Sequence, residues 1–243
     1  TLMRSSAASD VYKRQEKKWN YDSEIIGIDI PVVAVMGIGQ NVQKFDLQLY
    51  LRSRFIDKGY KVSQIGTKKI SGLFGLHPLP DFLFNTQYSD VDKVYAFNRV
   101  MKDVSMQEKP DVILLGIPDS LLPLNNKHRF SFGLYAYEIF NAVQPDFVIT
   151  SLMANNGYND EFYSEISKMA KYKYNVNIDA YFVSQFCPLS NSIWSEKLSY
   201  VYLPRMELPK TEYKVYTTSD LNNDILFKQA EKKLLLYGKY EQY

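Results

Sequence analysis

The feature that most constrains the fold of this chain is a glycine loop between a buried strand and an amphipathic helix. The run from Val32 to Met36 is continuously apolar and ends at Gly37, which is typical of a strand buried on both faces. The loop GIGQNVQ at 37–43 follows, and from Lys44 onward apolar residues recur at helical spacing. Gly59 then stands where a left-handed helix end is expected. This segment is therefore predicted to form strand, loop and helix in that order.

The alternation of strand and helix patterns continues along the chain. Strands are predicted at 60–65, 109–118, 144–153, 176–186 and 200–203, and helices at 94–104, at 135–143, after a cap at Asn159 and after a cap at Ser219 or Asp220. The dipeptides Pro110-Asp111 and Pro145-Asp146 mark points where a helix ends and a strand begins. This order predicts an α/β fold, with an open, mostly parallel sheet, helices on both faces and thus three layers. Ligands bind such sheets beyond the carboxyl ends of the strands.

The domain organisation is read in three parts. Residues 5–15, SSAASDVYKRQ, resemble the translation of a transposase-based sequencing adapter, so residues 1–15 are predicted to be non-native and are excluded from the fold argument. Residues 16–30 are expected to be the tail of a missing upstream region. Residues 31–243 are predicted to form a single α/β domain, in which 186–218, with three prolines and weak periodicity, is an irregular elaboration.

Charge and composition exclude several classes of protein. Residues 1–15 hold three basic residues and one acidic one, so residues 16–243 carry 26 of each, and no electrostatic case exists for nucleic acid or an anionic membrane. No apolar run approaches the roughly 20 residues that span a bilayer. A single cysteine, Cys187, and two histidines leave few ligands for zinc and no internal disulfide. A cytoplasmic setting is therefore expected.

The glycine loop has the residue types of a phosphate-binding loop. Such a loop needs small residues that let backbone N–H groups face an anion, a lysine for charge, and a helix N-terminus behind it. Gly37, Gly39, Asn41 and Lys44 supply these requirements. The loop resembles the variant P-loop of dethiobiotin-synthetase-like ATPases, G-T-x-T-x-x-G-K-[ST], and this resemblance implies a P-loop-NTPase-like three-layer sandwich that binds ATP or GTP with Mg²⁺.

Two departures from the G-K-[ST] pattern argue against turnover. Gln43 replaces the glycine that lets the backbone close on the phosphates, and Phe45 replaces the hydroxyl that would ligate Mg²⁺. Asp46, in the first turn of the helix, and Asp119, past the end of the 109–118 strand, are the candidate metal ligands. A solvated helix-start carboxylate and an aspartate in a proline turn are the competing interpretations of these two residues.

Other candidate sites are weaker. A dinucleotide-binding loop G-x-G-x-x-G would need a third glycine where this chain has Val42. His77, with Asp81 four residues on, could act as a general base or could pack in its loop. Cys187 is interpreted as a buried small residue. Lys68 and Lys69 follow the second strand on the same edge as the glycine loop, where they could add charge for an anion.

Residues 31–203 also resemble a clostridial family of peptide maturation system proteins, found with gene clusters for modified ribosomal peptides. The segments that carry this resemblance are VMGIGQNVQKFDLQLYLR at 35–52, GYKVSQIGTK at 59–68, LFGLHPLPDFLFN at 73–85 and PDVILLGIP at 110–118. In that family the Lys-Phe-Asp run belongs to the pattern, which makes Phe45 a family trait. The resemblance implies a precursor peptide, or the enzymes that modify it, as partners.

Three functions follow as hypotheses. The first is an accessory protein in maturation of a ribosomal peptide that binds a phosphate-bearing ligand or a partner at a degenerate P-loop. The second is a non-catalytic scaffold or binding module that has lost nucleotide binding. The third is an ATP-dependent ligase or synthetase.

Overall fold

A computed structural model describes residues 24–204 and 207–237, apart from the side chains of Lys69, Ile70 and Tyr237. The predicted adapter-derived segment at 1–15, and most of the predicted upstream tail at 16–30, lie outside the described residues.

Nine strands and six α-helices form the described part of the chain. The strands are β1 (Val32–Gly37), β2 (Val62–Gly66), β3 (His77–Pro78), β4 (Val112–Gly116), β5 (Phe147–Leu152), β6 (Ala180–Val183), β7 (Phe186–Pro188), β8 (Tyr200–Tyr202) and β9 (Val215–Tyr216). The helices are α1 (Lys44–Asp57), α2 (Asp90–Glu108), α3 (Leu134–Ala142), α4 (Asp160–Tyr174), α5 (Thr218–Leu221) and α6 (Ile225–Tyr237). Short 3₁₀ turns lie at Lys69–Phe74, Asp81–Phe84 and Ser190–Ser192.

Seven of the strands form one sheet in the order β3-β2-β4-β1-β5-β6-β9, and every neighbouring pair in it is parallel. β1 lies at the centre, with Val35 opposite Gly116 of β4 and Gly37 opposite Ser151 of β5. β7 and β8 form a separate antiparallel pair. The predicted α/β sheet is confirmed, and its strand order places the glycine loop at the middle of the carboxyl edge.

Helices cover both faces of the sheet, which completes the three layers. On one face, Leu47, Leu51 and Phe55 of α1 and Leu226 and Phe227 of α6 pack on apolar residues of β1, β4 and β5. The opposite face is covered by residues of α2, α3 and α4, among them Phe97, Met101, Ile139, Phe140 and Ala170. The continuous apolar run of β1 is explained by this double coverage, since all six of its residues are buried.

Aspartates fix the amino edge of the sheet. Three aspartates, Asp111, Asp146 and Asp179, each stand directly before a strand, and each accepts a backbone N–H at the start of a neighbouring strand. The acceptor distances are 2.7 Å from Lys61 N to Asp111, 2.7 Å from Val32 N to Asp146 and 2.9 Å from Val148 N to Asp179. The interpretation of the two Pro-Asp dipeptides as strand entries is thereby confirmed, and their carboxylates have a structural role.

Two predicted elements were wrong in detail. The single strand at 176–186 is two short strands, β6 and β7, because Ser184 bonds the backbone of Phe186 and turns the chain out of the sheet. The predicted last helix, with a cap at Ser219 or Asp220, is two helices. The first, α5, is capped by Thr217, with Asp220 completing a capping box, and it stops at Leu221 before α6 begins at Ile225.

The segment 186–218, predicted to be irregular, contains regular elements as well as loops. β7 pairs with β8, and β9 adds a seventh strand to the sheet beside β6. The predicted strand at 200–203 is confirmed as β8 at Tyr200–Tyr202.

Candidate functional site

The loop at 38–43 crosses the carboxyl edge of the sheet between β4 and β5. The backbone N–H of Ile38 donates to the carbonyl of Ser151 at 3.1 Å, and the Ser151 hydroxyl donates to the carbonyl of Val42. From the other side, the N–H of Leu121 donates to the carbonyl of Gly37 at 2.9 Å. The loop is thus held by the end of β5 and by the segment that follows β4, and its shape is set by the fold.

The two glycines of the loop lie where a Cβ would crowd neighbouring atoms. A Cβ on Gly37 would come within 2.7 Å of Val42 Cγ2 and 3.0 Å of the Ser151 carbonyl oxygen. A Cβ on Gly39 would come within 2.6 Å of Met153 Cε. Their absent side chains allow the loop to pass close to the end of β5.

Most backbone N–H groups of the loop and of the first turn of α1 lack acceptors among the described residues. Asn41 and Gln43 both have positive φ, 53° and 57°, a local geometry that gathers successive N–H groups into a concave nest. Between Gly39 and Asp46, no backbone N–H makes a hydrogen bond to any atom of residues 24–204 and 207–237. Gln43, in the cap position, leaves the helix end open because its side chain accepts from Gln185 N at 2.8 Å instead.

Lys44 lies within this arrangement as a buried cation. Its side chain passes over Gly37, with Cδ 3.0 Å from the position of a Cβ there, and is only 9% exposed. Its ammonium donates to the backbone carbonyl of Asp119, and no carboxylate oxygen of the described residues lies within 4.0 Å of it. Burial lowers the pKa of Lys44 to about 8, and the charge of Asp119 opposes that shift.

Asp119 lies in the loop after β4, the strand next to β1. Its carboxylate accepts from Gln40 Nε2 at 3.0 Å and from the backbone N–H of Ser131 at 2.7 Å. Asp119 itself has a φ of 57°. The structure therefore brings Asp119, Gln40 and Lys44 together. Asp46 is exposed in the first turn of α1, where its charge complements the helix dipole.

Phe45 points from the first turn of α1 toward the end of β2. Its ring lies 3.3 Å from the position of a Cβ on Gly66 and contacts the ring of Phe74, with the two centroids 6.1 Å apart. The ammonium of Lys68 lies 5.2 Å from the centroid of the Phe45 ring. The ring that replaces the metal-binding hydroxyl is thus largely buried and carries a cation over its face.

Gln48 is a member of the site that sequence reasoning missed. It is 0% exposed; its Nε2 donates to the Ile65 carbonyl at 3.1 Å, while its Oε1 has no donor among the described residues. Both amide atoms lie 2.6 Å from the position of a Cβ on Gly116, at the end of β4, and Thr67 Cγ2 lies 2.5 Å from it. The available signal was a glutamine on the otherwise apolar face of α1, one turn after Lys44.

The side chains over Gly116 do not fit a protein-bound Mg²⁺. Magnesium prefers carboxylate oxygens, and the space over Gly116 is lined by the neutral side chains of Gln48 and Thr67. The carboxylate of Asp119 already accepts two hydrogen bonds, and Asp46 is in contact with none of these groups in the described hydrogen bonds. Within residues 24–204 and 207–237, no cluster of three or more His, Cys, Asp or Glu side chains could hold a metal ion. The metal roles of Asp46 and Asp119 stay predictions.

The weaker candidates lie elsewhere. His77 is in the edge strand β3, and its Nε2 lies 2.7 Å from Glu108 Oε1 rather than near Asp81. The hydrogen bonds from His77 and Ser63 lower the pKa of Glu108 against its partial burial. Cys187 is half-buried in β7. Neither side chain contacts the glycine loop in the described hydrogen bonds.

No protein-family model and no curated protein matches this chain. Several solved structures are similar to it. A DUF1611 family protein from Anabaena variabilis is 13% identical with a TM-score of 0.48, and the match covers 65% of this chain and 46% of that one. A cobyrinic acid a,c-diamide synthase from Mycobacterium smegmatis with bound ADP and magnesium is 15% identical with a TM-score of 0.47, over 88% and 97% of the two chains.

The signal recognition particle receptor FtsY from Elizabethkingia anophelis, in complex with GDP, is 16% identical with a TM-score of 0.38, over 74% of this chain and 56% of that one. The likeness concerns fold alone. The fold is a three-layer α/β sandwich, with a central strand, a glycine loop and a helix in that order. No family match supports the likeness to peptide maturation system proteins. In the part of the chain that the structure describes, every helix is too short or too polar to span a bilayer.

Proposed function

We propose that this protein binds a phosphate-bearing ligand, with ATP or GTP as the leading candidates, at the loop and helix start spanning residues 37–46. The observation that most supports the proposal is the set of backbone N–H groups between Gly39 and Asp46 that have no acceptor among the described residues. Phosphate oxygens are acceptors, and the partial positive charge of the α1 N-terminus favours them. Gly37, Gly39 and Asn41 provide the loop shape, and Lys44 provides the formal charge.

The present partner of Lys44 is weaker than a phosphate would be. A neutral backbone carbonyl, that of Asp119, accepts from the ammonium. A hydrogen bond between two charged groups is roughly twice as strong as one between neutral groups. A phosphate that reached Lys44 would also compensate the burial that lowers its pKa. Binding is therefore expected to draw the ammonium from the Asp119 carbonyl to the ligand.

Isothermal titration calorimetry with ADP, ATP, GTP and inorganic phosphate tests the proposal. The Lys44→Met variant keeps the apolar stem of the side chain and removes the charge. A lost charge-assisted contact of about 2–3 kcal/mol corresponds to a loss of affinity of about 30- to 150-fold. Lys58→Met, at the exposed far end of the same helix, is the matched control and is expected to bind as the wild type does.

Thermal unfolding separates lost binding from lost folding. Lys44→Met is expected to melt at or above the temperature of the wild type without ligand, because it removes a buried charge. It is expected to show none of the ligand-induced rise in Tm. The proposal fails if none of the four compounds binds the wild type at millimolar concentration, or if Lys44→Met binds them equally well.

Turnover is not part of this proposal. Gln43 stands where the glycine of G-K-[ST] would be, and the neutral lining over Gly116 offers no carboxylate for Mg²⁺. The ligase or synthetase hypothesis remains open to a direct test. Release of inorganic phosphate from ATP, when a candidate peptide is added, would establish it.

A cytoplasmic accessory role in maturation of a ribosomal peptide is the finer proposal, with the precursor peptide or its modifying enzymes as partners. It is supported by the sequence segments quoted above and by nothing in the fold. The non-catalytic module is its rival, favoured by the hydrogen bond that fixes Gln43 to Gln185. Two exposed apolar residues also favour it: Phe74, which contacts Phe45 and is 58% exposed, and the preceding Leu73, which is 85% exposed. Pull-down of the precursor peptide in the absence of nucleotide, lost in Leu73→Asp, would favour the module.

A further inference from the structure

The position directly after Lys44, where the G-K-[ST] pattern has its metal-binding hydroxyl, has a different chemistry in this chain. The side chain after Lys44 is an aromatic ring, and the end of β4 is Gly116 beneath the amide of Gln48. Divalent metal commonly neutralises much of the charge of a bound polyphosphate. A site that binds polyphosphate without a metal is therefore strengthened by a second positive charge from a side chain.

Lys68 is placed to supply that charge. Its ammonium lies 5.2 Å from the centroid of Phe45, the residue next to Lys44, and its side chain is exposed. It follows β2, whose last residue, Gly66, lies against the same ring. The Phe45 ring is itself only 7% exposed and rests on Phe74, so the cation has a fixed platform.

We propose that this site binds phosphate groups without a divalent metal, and that the ammonium of Lys68, held over the ring of Phe45, takes the electrostatic place of Mg²⁺. This inference rests on the proposed function and names the form of its ligand, a metal-free di- or triphosphate. Lys44 contacts the phosphate at the helix start, and Lys68 neutralises the next one. The buried Oε1 of Gln48, which lacks a donor, is then served by water or a protonated ligand oxygen.

Titrations of the full chain with ADP and with pyrophosphate, in EDTA and then in excess MgCl₂, test the metal independence. The free ligands carry more negative charge than their magnesium complexes, so their affinity in EDTA is expected to equal or exceed that in magnesium. Lys68→Gln is expected to weaken both ligands about tenfold in EDTA, the effect of one charge-assisted contact. Lys58→Gln, the same charge change at the far end of α1, is the control.

Two further variants test the ring and the charge separately. Lys68→Arg keeps a cation that stacks on aromatic rings and is expected to restore affinity to within about twofold of the wild type. Phe45→Leu keeps an apolar side chain but removes the π face, and is expected to weaken binding about threefold. Because Lys68 is exposed, Lys68→Gln is expected to leave the Tm of the free protein unchanged, which a structural role would not.

The outcomes distinguish this inference from the proposed function. Binding that vanishes in EDTA and returns with magnesium overturns the inference and leaves the phosphate site intact. Equal affinity of Lys68→Gln and the wild type in EDTA also overturns it. Absence of any binding to the wild type removes both. Metal-independent binding that depends on Lys44 and Lys68, with rescue by arginine, establishes it.

Discussion

Polar groups at the two edges of the central sheet differ in whether they have hydrogen-bond partners. At the amino edge, Asp111, Asp146 and Asp179 each accept a strand-start N–H, and Asp179 also pairs with Lys233 at 2.6 Å. At the carboxyl edge, the N–H groups of residues 39–46 have no acceptor among the described residues, and Gln48 Oε1 has no donor there. The aspartates of the amino edge are hydrogen-bonded within the fold, whereas these polar groups of the carboxyl edge have no partner among the described residues.

This difference separates structural from functional use of similar residue types. An unpaired buried polar atom such as Gln48 Oε1 costs about 1–3 kcal/mol of stability unless a ligand or water completes its hydrogen bonding. The aspartates of the amino edge have a complete structural account. The lysine, glutamine and backbone amides of the carboxyl edge do not, and this supports the proposal that a ligand binds there.

Asp146→Ala is expected to have the largest effect on stability. It leaves the buried N–H of Val32, at the start of the central strand, without its acceptor, and is expected to lower the free energy of unfolding by about 2 kcal/mol. Urea denaturation measures this, and Asp146→Asn, which retains an acceptor oxygen, is expected to lose less. The folded variant is expected to bind ADP as the wild type does. A loss of ADP affinity in the folded variant would contradict the view that the amino edge is structural and that the carboxyl edge binds the ligand.

The pH dependence of binding tests the carboxyl edge next. The pKa of Lys44 is about 8 in the folded protein, so its charge is lost as the pH rises from 7 to 9, and ADP affinity is expected to fall about tenfold across that range. Lys44→Met is the control and should lack this dependence.

The lowered pKa of Lys44 has the opposite effect on the stability of the ligand-free protein, which is expected to rise with pH where ADP affinity falls. Between pH 8 and the usual pKa of lysine, the unfolded chain binds a proton that the folded protein does not. Stability relative to Lys44→Met is therefore expected to rise with pH in that window. A wild-type stability that falls relative to the variant would contradict a buried, charge-destabilised Lys44.

Asp119→Asn is expected to have a smaller effect. The substitution removes a negative charge beside Lys44, and asparagine tolerates the positive φ of 57° at this position. ADP affinity in EDTA is expected to rise about threefold, since the ligand no longer meets that carboxylate. If Asp119 ligates a metal as the sequence predicts, affinity in magnesium should fall instead, and calorimetry in the two buffers decides between these roles.

Gln43→Gly is expected to change stability least. Glycine relieves the strain of a positive φ, worth about 1 kcal/mol, and the variant loses a hydrogen bond to Gln185 N of similar size. The free energy of unfolding is therefore expected to stay within about 1 kcal/mol of the wild-type value. A much larger loss would mean that the loop needs the Gln43 side chain to fold.

The architecture was largely predictable because it follows from local patterns. The apolar run of β1, the helical spacing from Lys44 and the cap at Asn159 each depend on neighbours in sequence, and the structure confirms all three. The two-residue strands β3 and β9 were missed, since a pair such as His77–Pro78 has no periodicity and is defined only by its partner strand.

The position of the site could be predicted from the sequence, but not all of the residues that form it. The loop and its lysine carry a sequence signature, but Asp119 meets Lys44 across 75 residues of chain, and that contact exists only after the sheet has formed. In the sequence, Gln48 is one polar residue on a predicted helix. Its importance comes from Gly116, which leaves room for the amide at the end of another strand.

The loop after β4 is hydrogen-bonded to the segment that contains Trp194, whose fluorescence can report on that loop. Asn125 donates to the carbonyl of Ile193 at 2.9 Å, and Lys127 donates to that of Trp194 at 3.1 Å, so the stretch that carries Asp119 is bonded to the neighbourhood of an indole that is 72% exposed. The chain's other tryptophan is Trp19. In a Trp19→Phe background, intrinsic fluorescence would come from Trp194 alone, and a ligand that frees Lys44 from the Asp119 carbonyl would register as a change in emission without any added label.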